Sequence, residues 1–231
     1  PISGPSRWKD SPLSVTSVLL RPQADMTPTP PPSSASRLVN LSVRARSGSN
    51  DGVLIVGLVL GGSGSKQVLL RGIGPSLKKL GVPTALADPT LTLFDSKGNQ
   101  IATNDDWATD SVAASALSTL FSEVGAFPLD TVSADAALGP VLTSGAYTFH
   151  LRGKDGAQGV ALGEVYEVGG AGGPRMVNVS ARTGVGVNDD VLIGGFVIVG
   201  PAPKTVLVRA VGPGLTRFGV PGVLANPVWR M

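Results

Sequence analysis

The sequence contains no cysteine, one histidine and few aromatic residues among its 231 positions. Without cysteine the chain forms neither disulfides nor thiolate metal sites. The single histidine, His150, cannot build a histidine metal cluster, and its position in an alternating pattern predicts a surface residue of a strand. No serine lies in a nucleophile-elbow pattern, so no catalytic triad is indicated. We therefore expect a protein without enzymatic activity.

Charged residues are also scarce, at 15% of the chain, whereas Gly (31) and Pro (19) are abundant. This composition is typical of an all-β protein with many turns. The formal net charge is only +3, and Lys and Arg are scattered along the chain. We therefore expect no nucleic-acid partner. The apolar runs are too short for a membrane span, so we expect none.

The chain contains an internal repeat. Residues 50–77 recur without a gap as residues 188–215, at a constant offset of 138 positions (188 − 50). Such self-similarity is the signature of a repeat protein. We predict a Pro/Ser-rich linker at 1–36, a first β-sandwich repeat at 37–168, a Gly-rich hinge at 169–174 and an incomplete second repeat at 175–231. The second unit stops at Met231, where the first unit would enter the strand that starts at Leu91.

The repeated stretch predicts a β-hairpin. Residues 53–60 are an apolar, β-branched run that is typical of a strand buried on both faces. Residues 67–73 are its expected partner, and the Gly-rich residues 61–65 form the expected loop. A phosphate loop of the Walker type is not favoured, because Ser65 precedes Lys66 and the second unit has prolines at the corresponding positions.

Local patterns predict further elements. Turns are expected at 50–52 and 188–190, and one helical turn before a glycine at 77–81 and 215–219. A helix with Asp110 or Ser111 as its cap is expected across one end of the sheets. Alternating or apolar segments predict strands at 39–46, 91–93, 100–103, 136–141, 147–151, 159–168 and 177–182, and the helix covers 110–124.

Several motifs carry a resemblance. They are Leu91-Thr92-Leu93-Phe94-Asp95, Gly98, Asn104-Asp105-Asp106, Ser144-Gly145-Ala146-Tyr147 and Gly159-Val160-Ala161-Leu162. Residues 91–168 resemble the bacterial pre-peptidase C-terminal domains, which are small jelly-roll-like β-sandwiches on secreted enzymes. Residues 37–168 also resemble β-rich repeats found in tandem in large secreted or surface proteins of environmental bacteria. The helical insert at 110–124 departs from the pre-peptidase pattern.

The resemblance implies an all-β fold, a jelly-roll-like β-sandwich repeat with one short helical insert, followed by a partial second copy. It also implies an extracellular or cell-surface location. The second unit leaves two alternatives open. Either it is a fragment of a complete sandwich, or the first halves of both units pair with each other around a shared core.

One loop is a candidate calcium site. Carboxylate and amide oxygens cluster there, and Ca²⁺ takes six to eight oxygen ligands. Turn formation explains the same residues without a metal. Trp107 beside them is a candidate platform for stacking on a sugar, or it packs back onto the edge of the sandwich. The candidate calcium ligands are Asp95, Asn99, Asn104, Asp105 and Asp106.

These observations predict a non-catalytic, secreted or cell-surface β-sandwich repeat module that serves as a structural spacer or in adhesion or carbohydrate binding. Its expected partners are extracellular polysaccharide or neighbouring repeats of the same chain. The alternatives are an accessory domain of a larger secreted hydrolase and a calcium-stabilised lectin-like module. No cofactor other than Ca²⁺ is indicated.

Overall fold

The computed structural model describes residues 36–49, 52–170 and 172–231. The predicted linker up to residue 35, two residues of the first predicted turn (50 and 51) and residue 171 of the predicted hinge lie outside this part. The strands are β1 (Arg37–Ser47), β2 (Leu54–Ile73), β3 (Pro89–Phe94), β4 (Gln100–Asn104), β5 (Ala136–Leu138), β6 (Val141–Gly153), β7 (Gly159–Glu167), β8 (Arg175–Arg182) and β9 (Ile193–Val199), and the α-helix is α1 (Ser111–Glu123).

The strands form two antiparallel sheets that share the 20-residue strand β2. The first sheet has the order β4-β3-β6-β2-β8 and uses mainly the first half of β2. The second sheet has the order β5-β2-β7-β1-β9 and uses the second half. Buried side chains from both sheets, including Leu58, Phe149 and Val165, form one core between them. The predicted all-β sandwich is confirmed.

The predicted hairpin within β2 is wrong. Residues 54–60 pair with β6 and β8, whereas residues 68–73 pair with β7, so the two halves do not pair with each other. The Gly-rich residues 61–64 instead form a wide bulge opposite β6, where the register jumps between Leu60 and Ser65. Gly62 and Gly64 have φ of 115° and 88° there, which glycine adopts without strain. The strand therefore bends from one sheet into the other.

The first half of β2 is also not buried on both faces. Leu54, Val56 and Leu58 are buried, while the alternate residues Ile55 and Val59 are partly exposed. Period-two alternation places successive side chains on opposite faces, so only one face points into the core. The sequence did not indicate which face is buried, because the run is apolar at nearly every position.

Helix α1 is confirmed and is capped by Asp110, whose carboxylate accepts hydrogen bonds from the backbone N–H groups of Val112 (2.8 Å) and Ala113 (3.0 Å). It lies on the outer face of the second sheet rather than across one end. There Leu117 and Phe121 pack with Leu69 and other residues in a second apolar cluster. The second sheet therefore has an apolar cluster packed against each of its faces.

The two units exchange strands reciprocally. Strand β1 of the first unit pairs with β9 of the second, and β2 of the first pairs with β8 of the second. The registers are equivalent after the offset of 138: Leu41 faces Phe196, and Leu58 faces Val179. Each pairing even shifts register at the corresponding place. This pairing of the first halves of both units is the arrangement that the shared-core alternative describes.

Short 3-10 helices also recur at the offset, at Pro75–Leu80 and Pro213–Phe218. Each ends at a left-handed glycine, Gly81 (φ 82°) and Gly219 (φ 71°), as the predicted helical turn requires. By contrast residues 203–210, which correspond to the second half of β2, form no strand. Within the described ranges, none of the helices has the length and apolarity needed to cross a membrane.

Candidate functional site

The five candidate calcium ligands lie at opposite ends of the β3–β4 hairpin. Asp95 and Asn99 form the turn, where the Asp95 carboxylate accepts hydrogen bonds from the N–H groups of Lys97 (2.8 Å) and Asn99 (2.9 Å). These bonds, chiefly those from Asn99, lower the pKa of Asp95. Strand β4 separates this turn from Asn104 by roughly 16 Å at the usual rise per residue. Two ligands of one Ca²⁺ lie within about 5 Å of each other, so the five residues do not form the single predicted site.

The second group is occupied by structural contacts. The Asn104 side-chain oxygen accepts a hydrogen bond from Ala137 N–H (2.9 Å), which joins β4 to β5. Asp105 lies 3.1 Å from the Lys154 ammonium and raises the pKa of that lysine. Across the ranges that the structure describes, no three His, Asp or Glu side chains are grouped so that they could hold a metal ion. The contacts that these side chains make fix the turn and the loop in which they lie.

Trp107 is not available as a sugar-stacking platform in this structure. Its side chain is buried with only 2% of the residue exposed, and its ring lies 5.2 Å from the Phe121 ring beneath α1. The indole N–H donates to the carbonyl of Asp130 at 2.9 Å. The structure therefore places Trp107 in the packed position that was the alternative.

His150 lies half-buried on β6, with its ring 4.6 Å from the Phe94 ring. Burial, helped by the nearby charge of Arg152, lowers the pKa of His150 to about 4. The imidazole is therefore neutral at physiological pH. The Arg152 guanidinium lies 3.4 Å from its Nδ1 atom, and no carboxylate among the described residues bonds to the ring. This setting does not match an acid–base pair.

One fully buried charge, that of Arg71, was not identified by sequence reasoning. The guanidinium of Arg71 is fully buried between the rings of Phe121 and Phe127, 4.9 and 4.2 Å from their centroids. Its Nε lies 3.0 Å from Glu164 Oε2, and its Nη1 donates to the Phe127 carbonyl at 2.7 Å. The other carboxylate oxygen of Glu164 accepts a bond from the Tyr166 hydroxyl at 2.9 Å. Burial lowers the pKa of Arg71 and raises that of Tyr166.

A sequence signal for this pair did exist. Arg71 stands inside an apolar strand, and the second unit repeats it as Arg209. A charge retained in a buried strand needs a partner, because the desolvation of an unpaired ion costs several kcal/mol. The partner could not be named from the sequence, because Glu164 lies on a distant strand.

A second buried ion pair lies in the first unit and holds the segment that leads to the second. The Lys66 ammonium lies 3.7 Å from Glu167 Oε1 and donates to the carbonyls of Gly170 (3.0 Å) and Gly172 (2.6 Å). The same carboxylate lies 3.5 Å from Arg37 at the start of β1. Lys66 is therefore bound to the predicted hinge segment, and its charge is engaged by protein groups.

A third buried carboxylate, Asp135, accepts hydrogen bonds from the backbone N–H of Gly74 (2.7 Å) and from the hydroxyls of Ser76 and Ser133. The backbone N–H of Trp107 also donates to the backbone carbonyl of Asp135 at 2.9 Å. Asp135 thus fixes the turn at the end of β2 against the loop before β5. Its oxygens are directed to protein donors.

A cleft of about 660 Å³ lies in the seam between the units. It is bordered by the loops that follow β1 and β8. Arg46 reaches Asp190 across it at 3.9 Å, and the Thr183 hydroxyl donates to the Arg46 carbonyl at 3.0 Å. Gln158 and Arg182 add further polar groups, and none of the described residues that line the cleft is aromatic. The cleft is large enough for a small polar ligand.

Comparison of the sequence with protein-family models and with curated proteins gives no match.

Proposed function

We propose that this chain is a non-catalytic β-sandwich repeat module of a secreted or cell-surface protein, in which neighbouring units interlock to act as a structural spacer. The observation that carries the proposal is the reciprocal pairing of β1 with β9 and of β2 with β8. Each unit contributes a strand to both sheets, so a load applied to one unit is transmitted through backbone hydrogen bonds to the other.

The buried charges support the same role. Glu164 and Glu167 pair with cations, and Asp135 with backbone and hydroxyl donors, inside the protein. Such groups fix the relative positions of strands instead of facing a substrate. The resemblance to tandem repeats of surface proteins supports a location outside the cell.

A pulling experiment on single molecules tests the interlock. A chain stretched between cysteines added at its two ends is expected to unfold in one step. Residues 36–231 would then release roughly 650–700 Å of contour length. Val179→Pro places a proline opposite Leu58 within the pairing of β8 with β2, where proline is poorly tolerated, and is expected to divide the event into two steps. Val132→Pro, at an exposed position of a loop, is the control and leaves one step. Two independent steps in the parent chain would refute the interlocked spacer.

The polar cleft supports a second candidate function, which is carbohydrate binding. Arg46, Gln158 and Arg182 offer several donors around a volume suited to a short oligosaccharide. A glycan array probed with the chain and with Arg182→Ala tests it. Binding that the substitution abolishes supports this function, and the absence of binding to every glycan of the array argues against it.

A further inference from the structure

In the first unit both edges of the repeated strands are covered. The first half of β2 lies between β6 and β8, and β1 lies between β7 and β9. In the second unit the equivalent strands have one neighbour each. Strand β9 pairs only with β1 among the described strands, and β8 pairs only with β2. No strand of the described part of the chain covers the edges of β9 and β8 that correspond to the edges covered by β6 and β7 in the first unit.

The second unit nevertheless keeps apolar side chains at the positions that β6 and β7 help to cover in the first. Leu58 is 1% exposed, whereas its equivalent Phe196 is 41% exposed. Leu69 is fully buried, whereas Leu207 is 63% exposed. Exposed apolar side chains in a contiguous patch mark an interaction surface. The equivalent residues of the two units are both apolar, but only those of the first unit are covered by other parts of the protein.

Charge complementarity indicates which kind of strand would cover the exposed surface of the second unit. Arg71 in the first unit is neutralised by Glu164, which β7 supplies. Its equivalent, Arg209, forms no ion pair within the described residues. A strand of the β7 type brought to the second unit would place a carboxylate at this guanidinium. Residues 206–211 would then gain the partner that residues 68–73 have in β7.

We propose that the open edges of β8 and β9, together with residues 206–211, form a docking surface for a strand pair of the β6–β7 type. The occupant is a segment with the sequence pattern of residues 91–168, joined in cis after the second unit. Its β6-type strand would pair with β9 in the register that β6 has on β2, with the equivalent of Tyr147 opposite Phe196. This inference rests on the proposed interlocking of neighbouring units and names the partner of that interlock.

The test is an extended chain. Met231 corresponds to Leu93 at the offset of 138, so a copy of residues 94–168 is joined directly after Met231. Hydrogen exchange of residues 193–199 and 206–211 is then compared with that of the unextended chain. Alternate amides of a strand point to opposite edges, so the β9 amides directed away from β1 report on docking. We expect their exchange to slow by at least roughly 100-fold.

A matched control carries Phe149→Asp and Val165→Asp in the appended copy only, because both side chains are fully buried in the first unit. Exchange in the control is expected to equal that of the unextended chain. Equal exchange in the control and the unaltered extended chain would overturn the proposal. Slow exchange in an unextended chain that light scattering shows to be a dimer would also overturn it, since a second copy would then be the occupant.

The experiments distinguish failure of the spacer proposal from failure of the docking proposal. The pulling experiment uses the unextended chain and reports only on the pairing of β1 with β9 and of β2 with β8. An extended chain without protection at 193–199, combined with one-step unfolding of the unextended chain, would remove the docking proposal and leave the spacer.

Discussion

The buried pair of Arg71 and Glu164 allows a quantitative test of what holds α1 and the second sheet together. In Glu164→Gln the guanidinium stays charged, because arginine does not lose its proton in proteins. It also stays fully buried between two phenylalanine rings. Removing one member of a buried pair costs about 3–5 kcal/mol. For a domain of this size the melting temperature is expected to fall by roughly 6–20 °C.

The exposed pair of Lys79 and Asp130 is the matched control. Its side chains are 68% and 55% exposed, so Lys79→Gln is expected to cost less than about 1 kcal/mol. The double variant Arg71→Met/Glu164→Gln leaves no buried ion at this site, and its thioether fills the space between the aromatic rings. It is expected to recover stability to within about 1–2 kcal/mol of the parent chain.

The measurement is urea-induced unfolding at pH 7, followed by tryptophan fluorescence and circular dichroism in the same samples. Coincident transitions establish two-state behaviour, which allows the free energies to be compared. If Glu164→Gln costs no more than Lys79→Gln, the pair contributes no more than a surface contact. The assignment of Arg71 as a central structural residue would then be wrong.

Three further predictions concern single sites. The pKa of His150 is about 4 in the folded protein, below the ordinary 6.5, so the unfolded chain binds more protons between these values and stability falls as the pH drops from about 6.5 to 4. An NMR titration of this single histidine checks the value, and a midpoint near 6.5 contradicts it. Asp110→Ala is expected to cost about 1 kcal/mol through loss of the α1 cap, against almost nothing for Glu123→Ala, by chemical denaturation; equal costs would exclude a capping role. Calcium and chelator are expected to leave the melting temperature unchanged, and a rise with calcium that Asp105→Ala abolishes would restore the metal site.

Local rules predicted the elements whose causes are local. The alternation of apolar and polar residues at 39–46 predicted β1, and the capping side chain of Asp110 predicted the start of α1. Both signals are local, because the pleat of a strand and the cap of a helix involve neighbouring residues. The glycines that end the two 3-10 helices were identified for the same reason. The offset of 138 between repeats likewise anticipated that both units have related strands.

Features that depend on distant partners were not predicted. A Gly-rich segment between two apolar runs is compatible with a reversal or with a bulge, and residues 61–64 form a bulge because β6 and β7 lie in different sheets. The site residues show the same limit. Whether Trp107 faces solvent depends on α1, and the partner of Arg71 comes from β7. Neither fact is contained in a local pattern.

The strand exchange also affects how the protein emerges from the ribosome. Strand β2 is complete at Ile73, but β8, one of its partners, ends only at Arg182. At a synthesis rate of roughly 5–20 residues per second, a long apolar strand waits about 5–20 s for that neighbour. Unpaired strands of this kind invite aggregation. We expect the charges of Lys66 and Arg71 to act as gatekeepers during this interval, before they become buried ion pairs.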